Sequence, residues 1–292
     1  MARPLDPLPL RATIREIAAR LEDAGKPNPD SEAREIVMRA LGLSREALIT
    51  RAADGVAAEE LGEINAILER RLAGEPLDHI IGEREFFGRA FRITPDVLSP
   101  REDTELLVRT TLSELSATEA PRVLDLGTGS GAIAITLLAE RPDMSAVAVD
   151  ISPYALLVAE ENAQAHRVSD RLDLMEGSWF DHVEGRFDAI VSNPPYITDA
   201  AMESLEREVR DFDPALALAG GPDGLDAYRV IVGRACAHLQ PGAPLLLEIG
   251  YDLAAGVEAL MRSMGFEEVT TLADLAGHDR VVVGRAPDHP PG

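Results

Sequence analysis

The 292-residue chain is poor in cysteine, lysine and aromatic residues. Its single cysteine, Cys236, permits no internal disulfide, and no apolar run is long enough to span a bilayer. Both point to a cytosolic protein with no membrane partner. Residues 1–10 have Arg3 but no apolar core, and Pro4, Pro7 and Pro9 interrupt them, which argues against a secretion signal. The six histidines, His79, His166, His182, His238, His278 and His289, show no metal-ligand spacing, so no metal is expected. Lys26 is the only lysine, and no function is read into that scarcity.

Positive charge is scarce, and unevenly so. Residues 1–75 carry 11 Lys+Arg against 14 Asp+Glu, and residues 76–292 carry 17 against 37, within a net charge of −23. So acidic a second region repels phosphate backbones and favours a basic protein partner. The same charge also serves solubility, and alone it does not choose between the two. The length predicts two domains, and a hydrophobic content of 46% supports a sizeable core without disulfides.

Residues 11–23 set Ile14, Ile17, Ala18 and Leu21 on one helical stripe. Pro27 and Pro29 end it, Asp30 is placed to cap a helix carrying Ile36, Val37, Ala40 and Leu41, and Ser44 to cap a short turn. Leu61, Ile64, Leu68 and Leu72 line a longer helix that Gly74 and Pro76 stop. Residues 1–75 therefore read as a small helical bundle without chemistry, suited to partner recognition. Residues 76–105 read as a β-hairpin linker, with Phe86, Phe87, Phe91, Ile93 and Val97 around Gly88 and Pro95. Pro100 to Glu105 opens a helix in which Glu102, Asp103 and Glu105 complement the dipole.

From Val123 the pattern is strand, loop, helix, repeated. Strands are expected at 122–126, 145–149, 171–175, 187–192, 244–249, 266–271 and 279–284, and helices at 131–140, 152–165, 224–239 and 252–264. Ser152-Pro153 reads as an N-cap followed by proline at the first helical position. The alternation predicts an α/β fold, a doubly wound, mostly parallel seven-stranded sheet spanning residues 106–285. Residues 286–292, rich in proline, are expected to be a disordered tail.

Gly127, Thr128, Gly129, Ser130 and Gly131 follow the first of these strands and open a helix. Glycines let the backbone approach a ligand, and a helix N-terminus offers free N–H groups to an anion. Asp150 ends the next strand, where a carboxylate can accept ribose hydroxyls. The loop after the third strand holds Trp179, whose ring is placed either to flank an adenine or to pack in the core. After the fourth strand comes Asn193-Pro194-Pro195-Tyr196. Two prolines fix φ and supply no N–H, leaving carbonyls as acceptors. The Asn193 amide, the Pro194 carbonyl and the Tyr196 ring are expected to face one way and receive a planar NH2 group. Asn-Pro is also ordinary turn chemistry, so it is the joint presence of four such loops that is specific.

With these motifs the chain resembles class I S-adenosylmethionine-dependent methyltransferases, and more closely the protein-glutamine N5-methyltransferases that modify peptide-chain release factors. The resemblance covers nearly the whole chain. It includes Gly74–Leu77 with Ile81–Glu83, residues 94–105, Asp125–Ile133, Asn193–Tyr196, Glu208–Phe212 with Gly220–Leu225, Leu247–Tyr251, and Asp274–Gly277 with Asp279–Val281. Ser99 and Glu102 depart from the family pattern, which has an aliphatic residue and a proline there.

The resemblance implies that Gly127–Gly131 surrounds the methionine part of S-adenosylmethionine, that Asp150 holds its ribose, and that Trp179 lies by its adenine. Asn193 would sit between cofactor and substrate, with Pro194, Pro195 and Tyr196 completing the catalytic segment. It further implies class I release factors as partners, methylated at the glutamine of their Gly-Gly-Gln loop, with the helical bundle helping to dock them. A monomer without direct nucleic-acid binding is expected. The rival reading is an N6-adenine or N2-guanine amino-methyltransferase, which shares Asn-Pro-Pro-Tyr but calls for a basic face. A catalytically silent scaffold would have no need of both motifs intact, and a nicotinamide dehydrogenase would want G-x-G-x-x-G.

Overall fold

A computed structural model describes residues 5–205 and 207–288, and the chain divides into two compact units, Met1–Gly82 and Glu83–Gly292. No helix among the described residues is long and apolar enough to cross a membrane.

The first unit comprises α1 (Leu10–Asp23), α2 (Pro29–Leu41), α3 (Arg45–Thr50), α4 (Ala58–Leu72) and α5 (Leu77–Ile81). Its core is the expected stripe set, with Ile17, Leu21, Ile36, Val37, Ile64 and Leu68 buried. Ser44 caps α3 by accepting the Ala47 N–H at 3.2 Å. Asp30 does not cap α2. Pro29 takes the first helical position, for which its fixed φ is suited, and Asn28 precedes it in a left-handed conformation, φ 51°. Arg71 is buried at 2% exposure and grips Glu32 of α2 with two bonds, 2.7 and 2.9 Å, while a third reaches the Glu75 carbonyl at 3.2 Å.

The second unit opens with the antiparallel hairpin β1 (Glu83–Phe86) and β2 (Arg89–Arg92). Phe87 and Gly88 turn it with positive φ, 52° and 70°, as a tight two-residue turn requires. The hairpin belongs to this unit. Phe86 and Phe91 meet edge to face at 6.0 Å and bury with Ile93, Val97 and Leu107 in the core beneath the sheet. The unit continues through α6 (Thr104–Glu114), β3 (Arg122–Leu126), α7 (Ala132–Glu140), β4 (Ser145–Asp150), α8 (Pro153–Ala165), β5 (Leu172–Glu176) and β6 (Ala189–Ser192). A short excursion follows: β7 (Ile197–Thr198), α9 (Asp199–Met202), α10 (Arg207–Phe212), α11 (Ala215–Leu218) and β8 (Ala219–Gly221). The chain closes with α12 (Asp226–His238), β9 (Pro244–Glu248), α13 (Ala254–Ser263), β10 (Glu267–Ala273) and β11 (Asp279–Arg285).

The sheet has the expected seven strands, in the order β10-β11-β9-β6-β3-β4-β5, with β11 antiparallel to both its neighbours and β3, β4, β5, β6 and β9 mutually parallel. Alternation along β3 splits its side chains: Val123 packs with α7 and α8 on one face, Leu124 and Leu126 with α12 and α13 on the other. After β5 the chain returns to the far side of β3 to place β6. This is the order reversal at whose carboxyl edge open α/β sheets bind ligands.

Ala286, expected in the tail, is buried and exchanges backbone hydrogen bonds with Gly242 and Ala243. Residues 289–292 lie outside the described residues.

Candidate active site

Loops from four parallel strands meet at that edge around a cavity of about 290 Å³. The first turns directly out of β3. The Gly127 and Thr128 N–H groups both donate to the Val149 carbonyl, at 2.8 and 3.0 Å, which stitches the loop to β4. Gly127, Thr128, Gly129 and Ser130 line the cavity. Gly131 does not. It stands just behind, at φ 80°, and a Cβ there would come within 2.6 Å of Ile135 and 3.2 Å of Ala159, so its glycine serves the contact of α7 with α8. Beneath the loop Asp125 is fully buried and accepts the Thr128 hydroxyl at 2.7 Å; burial pushes its carboxyl up to about 7.

Asp150 lines the cavity at the end of β4. One of its oxygens accepts the Gly129 N–H at 2.8 Å and the other the Ser152 N–H at 2.9 Å. A carboxylate has about four acceptor positions, so both oxygens are oriented and each keeps one lone pair for a ligand. Ser152 also caps α8, accepting the Ala155 N–H at 3.2 Å.

Trp179, after β5, lines the cavity and also packs against the core on the α12 side. Its φ is 55°, and a Cβ on Gly127 would stand 3.7 Å from its ring.

The segment after β6 is tied down by Ser192, whose hydroxyl donates to the Leu126 carbonyl at 2.6 Å. Asn193 and Pro195 reach the cavity wall; Pro194 and Tyr196 are not among the lining residues. Pro194 is buried, and the Tyr196 ring lies against Gly250, 3.2 Å from where a Cβ there would stand. Burial, with Glu248 nearby, pushes the Tyr196 hydroxyl up. The four residues therefore do not all converge on one space, because the ring of Tyr196 is taken up by core packing.

Residues 96–101, with Thr104, form a further wall that composition and spacing alone did not single out. α6 begins at Thr104, with Asp103 at its N-cap position. Asp103 pairs with Arg280 at 3.1 Å, Glu102 is exposed 3.9 Å from Arg84, and only Glu105 occupies the first turn, where it accepts the Phe87 N–H at 3.0 Å. Thr104 is buried and accepts the Asn193 amide N–H at 3.3 Å. Glu248, at the end of β9, is buried, and burial pushes its carboxyl up to about 7.

Residues 12–82 match the PrmC N-terminal domain model, and residues 101–211 the methyltransferase small domain model. A release factor glutamine methyltransferase of Cereibacter sphaeroides is 46% identical over 95% of this chain and 97% of its own. One of Burkholderia pseudomallei is 45% identical over 88% of this chain and 92% of its own. Among solved structures, a methyltransferase from Pyrococcus furiosus, 16% identical, superposes with a TM-score of 0.51 over 75% of this chain and 97% of that one, a likeness of fold. At such identity over nearly full length, the chain belongs to the release factor glutamine methyltransferase family.

Proposed function

We propose that the chain transfers a methyl group from S-adenosylmethionine to the side-chain amide nitrogen of a release-factor glutamine, the one in the Gly-Gly-Gln loop. The observation that carries this is the placement of Asn193 on the same cavity as the Gly127–Ser130 loop and Asp150, in a member of this family. The residues fit the cofactor. Gly127 and Gly129 leave that wall bare of side chains, Asp150 keeps an oriented lone pair on each oxygen, and the Trp179 ring offers a flat face. When bound, S-adenosylmethionine supplies an activated methyl group on a sulfonium.

An amide nitrogen is a poor nucleophile because its lone pair is delocalised into the carbonyl. Asn193, on the cavity wall, accepts a hydrogen of the substrate NH2 and favours the charge that develops on nitrogen as it pyramidalises, while Pro194 lies buried behind it. Pro195 keeps the segment rigid, and Tyr196 anchors it to the core. The rest is alignment of nitrogen and methyl group at about 3–3.5 Å. The protein acts in the cytoplasm and without binding nucleic acid, a reading that rests on the single cysteine and the acidic charge.

Radiolabelled methyl transfer offered to a release factor, to duplex DNA and to RNA tests the substrate. Label is expected in the release factor alone, and label in DNA or RNA instead would favour the amino-methyltransferase of nucleic acid. The helical unit serves docking. Deleting residues 1–82 should leave cofactor binding intact and sharply slow methylation of a whole release factor, and an undiminished rate in the folded remainder would refute that role.

A further inference from the structure

A cavity that takes one glutamine side chain beside a cofactor gives far too little area to recognise a whole protein. A stable protein–protein interface buries roughly 800 Å² on each partner, so most of the docking surface must lie outside the cavity. The exposed apolar side chains of the sheet unit mark where. Ile151, Tyr154, Leu216, Tyr251 and Leu275 all stand at the carboxyl edge of the strands, on loops or first helical turns, and Ile151 and Leu216 line the cavity itself. Among the described residues of this unit, only Leu157, Val230 and Met264 are large, apolar and exposed elsewhere. Single exposed apolar residues are ordinary, whereas a gathering of them around one opening marks an interaction surface.

Tyr251 and Leu275 lie outside the cavity yet are fixed to its walls. β11 begins beside the end of β9, with Val281 opposite Glu248, so the turn after β10 rises at the same edge. Leu275 sits fully exposed on that turn, which is locked from below. Asp274 Oδ1 accepts the Ala276 and His278 N–H groups at 2.8 and 2.9 Å, and the Asp274 N–H donates to the His278 carbonyl at 2.8 Å. Arg280 ties the turn to the cavity wall, donating to Asp274 Oδ2 at 3.1 Å and pairing at 3.1 Å with Asp103, which adjoins the lining residue Thr104. Tyr251 stands edge-on to the His278 ring at 6.4 Å and follows Gly250, which packs on the Tyr196 ring. Apolar anchors preordered in this way lose little further freedom on binding.

We propose that Tyr251 and Leu275 form a docking pad for the release factor, receiving an apolar ridge of it that carries basic side chains at its flanks. The inference rests on the substrate reading given above. The basic flanks follow from charge. Glu102 and Asp252 stand exposed at this edge, and residues 76–292 carry 17 Lys+Arg against 37 Asp+Glu. Charges of one sign at a rim steer the opposite sign onto the surface and suppress wrong partners. A second copy of the chain would bring the same acidic rim and be repelled by it.

Steady-state methyl transfer to a release factor tests this, with cofactor affinity read by calorimetry and the size of the chain by sedimentation. Tyr251→Ala and Leu275→Ser should each raise KM about tenfold, as the loss of a docking anchor does, with kcat and cofactor affinity unchanged. Asp252→Lys should raise KM as well, because like charges then meet at the rim. Should Tyr251→Ala fail to fold, Leu275→Ser, at a fully exposed position, carries the test by itself. A wild-type KM in the folded anchor variants, or a fall in kcat with KM unchanged, overturns the pad and leaves the substrate reading standing. An unchanged or lowered KM in Asp252→Lys overturns the basic flanks. A wild-type oligomer that Leu275→Ser dissociates assigns the pad to a second copy and overturns the proposal too. A wild-type chain that methylates no release factor overturns the substrate reading and this inference with it.

Discussion

The two units treat buried charge in opposite ways. In the helical unit the buried Arg71 is matched by a bidentate Glu32 and a backbone carbonyl. In the sheet unit Asp125 and Glu248 are buried under the carboxyl edge of the strands with fewer compensating bonds, and both carboxyls are pushed up to about 7. Burial of a charge is tolerated where pairing is complete, and otherwise shifts the proton equilibrium of the group. The helical unit uses its buried charge to join α4 to α2. The sheet unit leaves Asp125 Oδ1 and Glu248 Oε2 buried without a hydrogen-bond partner.

Breaking the satisfied pair should give the largest effect. Arg71→Ala leaves Glu32 without its partner and should destabilise the helical unit by about 3–5 kcal/mol, read as a lowered denaturation midpoint with cofactor affinity unchanged. If the midpoint does not move, the pair does not hold α2 to α4. At the cavity, Asn193→Ala should lower the methyl-transfer rate by roughly 10²–10³, as the loss of one preorganised polar group does, while cofactor affinity barely changes. Wild-type rates in that folded variant would falsify the site assignment.

Asp150→Ala comes next. Losing a charged acceptor should weaken cofactor binding by about 1.5–3 kcal/mol, and calorimetry giving wild-type affinity would exclude the ribose role. The loss also frees the Gly129 and Ser152 N–H groups, so some loosening of the loop should accompany it.

The last effect is a slope. Asp125 has its folded value raised to about 7 from an ordinary 3.8, so the folded state binds the extra proton between those values. Its contribution to stability is therefore complete below about pH 4 and is lost as pH rises toward 7, at no more than about 1.4 kcal/mol per pH unit. Asp125→Asn should flatten this part of the curve of stability against pH. An identical slope in the variant would mean that Asp125 ionises in the fold much as it does outside it.

The seven strands of the main sheet and the helices α7, α8, α12 and α13 were legible in the sequence, with ends within two residues of those observed. Period-two and period-3.6 burial is a property of neighbours along the chain, and so are the proline, glycine and N-cap signals that bound it. The loop Gly127–Ser130, Asp150 and Asn193 were legible for the same reason, since each directly follows or ends a strand whose direction is set by that pattern. The excursion from β7 to β8 was not, because its helices of four to six residues are too short to display a period. Nor was α5, a helix of five residues following Pro76.

The sequence alone, then, determined an α/β unit with a cofactor loop, a ribose acid and an Asn-Pro-Pro-Tyr segment at one sheet edge. Only the tertiary structure decided which of those residues share a space: Asn193 and Pro195 reach the cavity, while Gly131 and Tyr196 are spent on packing. It alone brought Glu32 to Arg71 across 39 residues and Thr104 to Asn193 across 89. The physical reason is the range of the forces involved. Dihedral preferences and hydrophobic period act over a few residues and can be read in order. A hydrogen bond or ion pair between distant segments exists only once helices and strands have packed, and neither partner carries a local mark of the other.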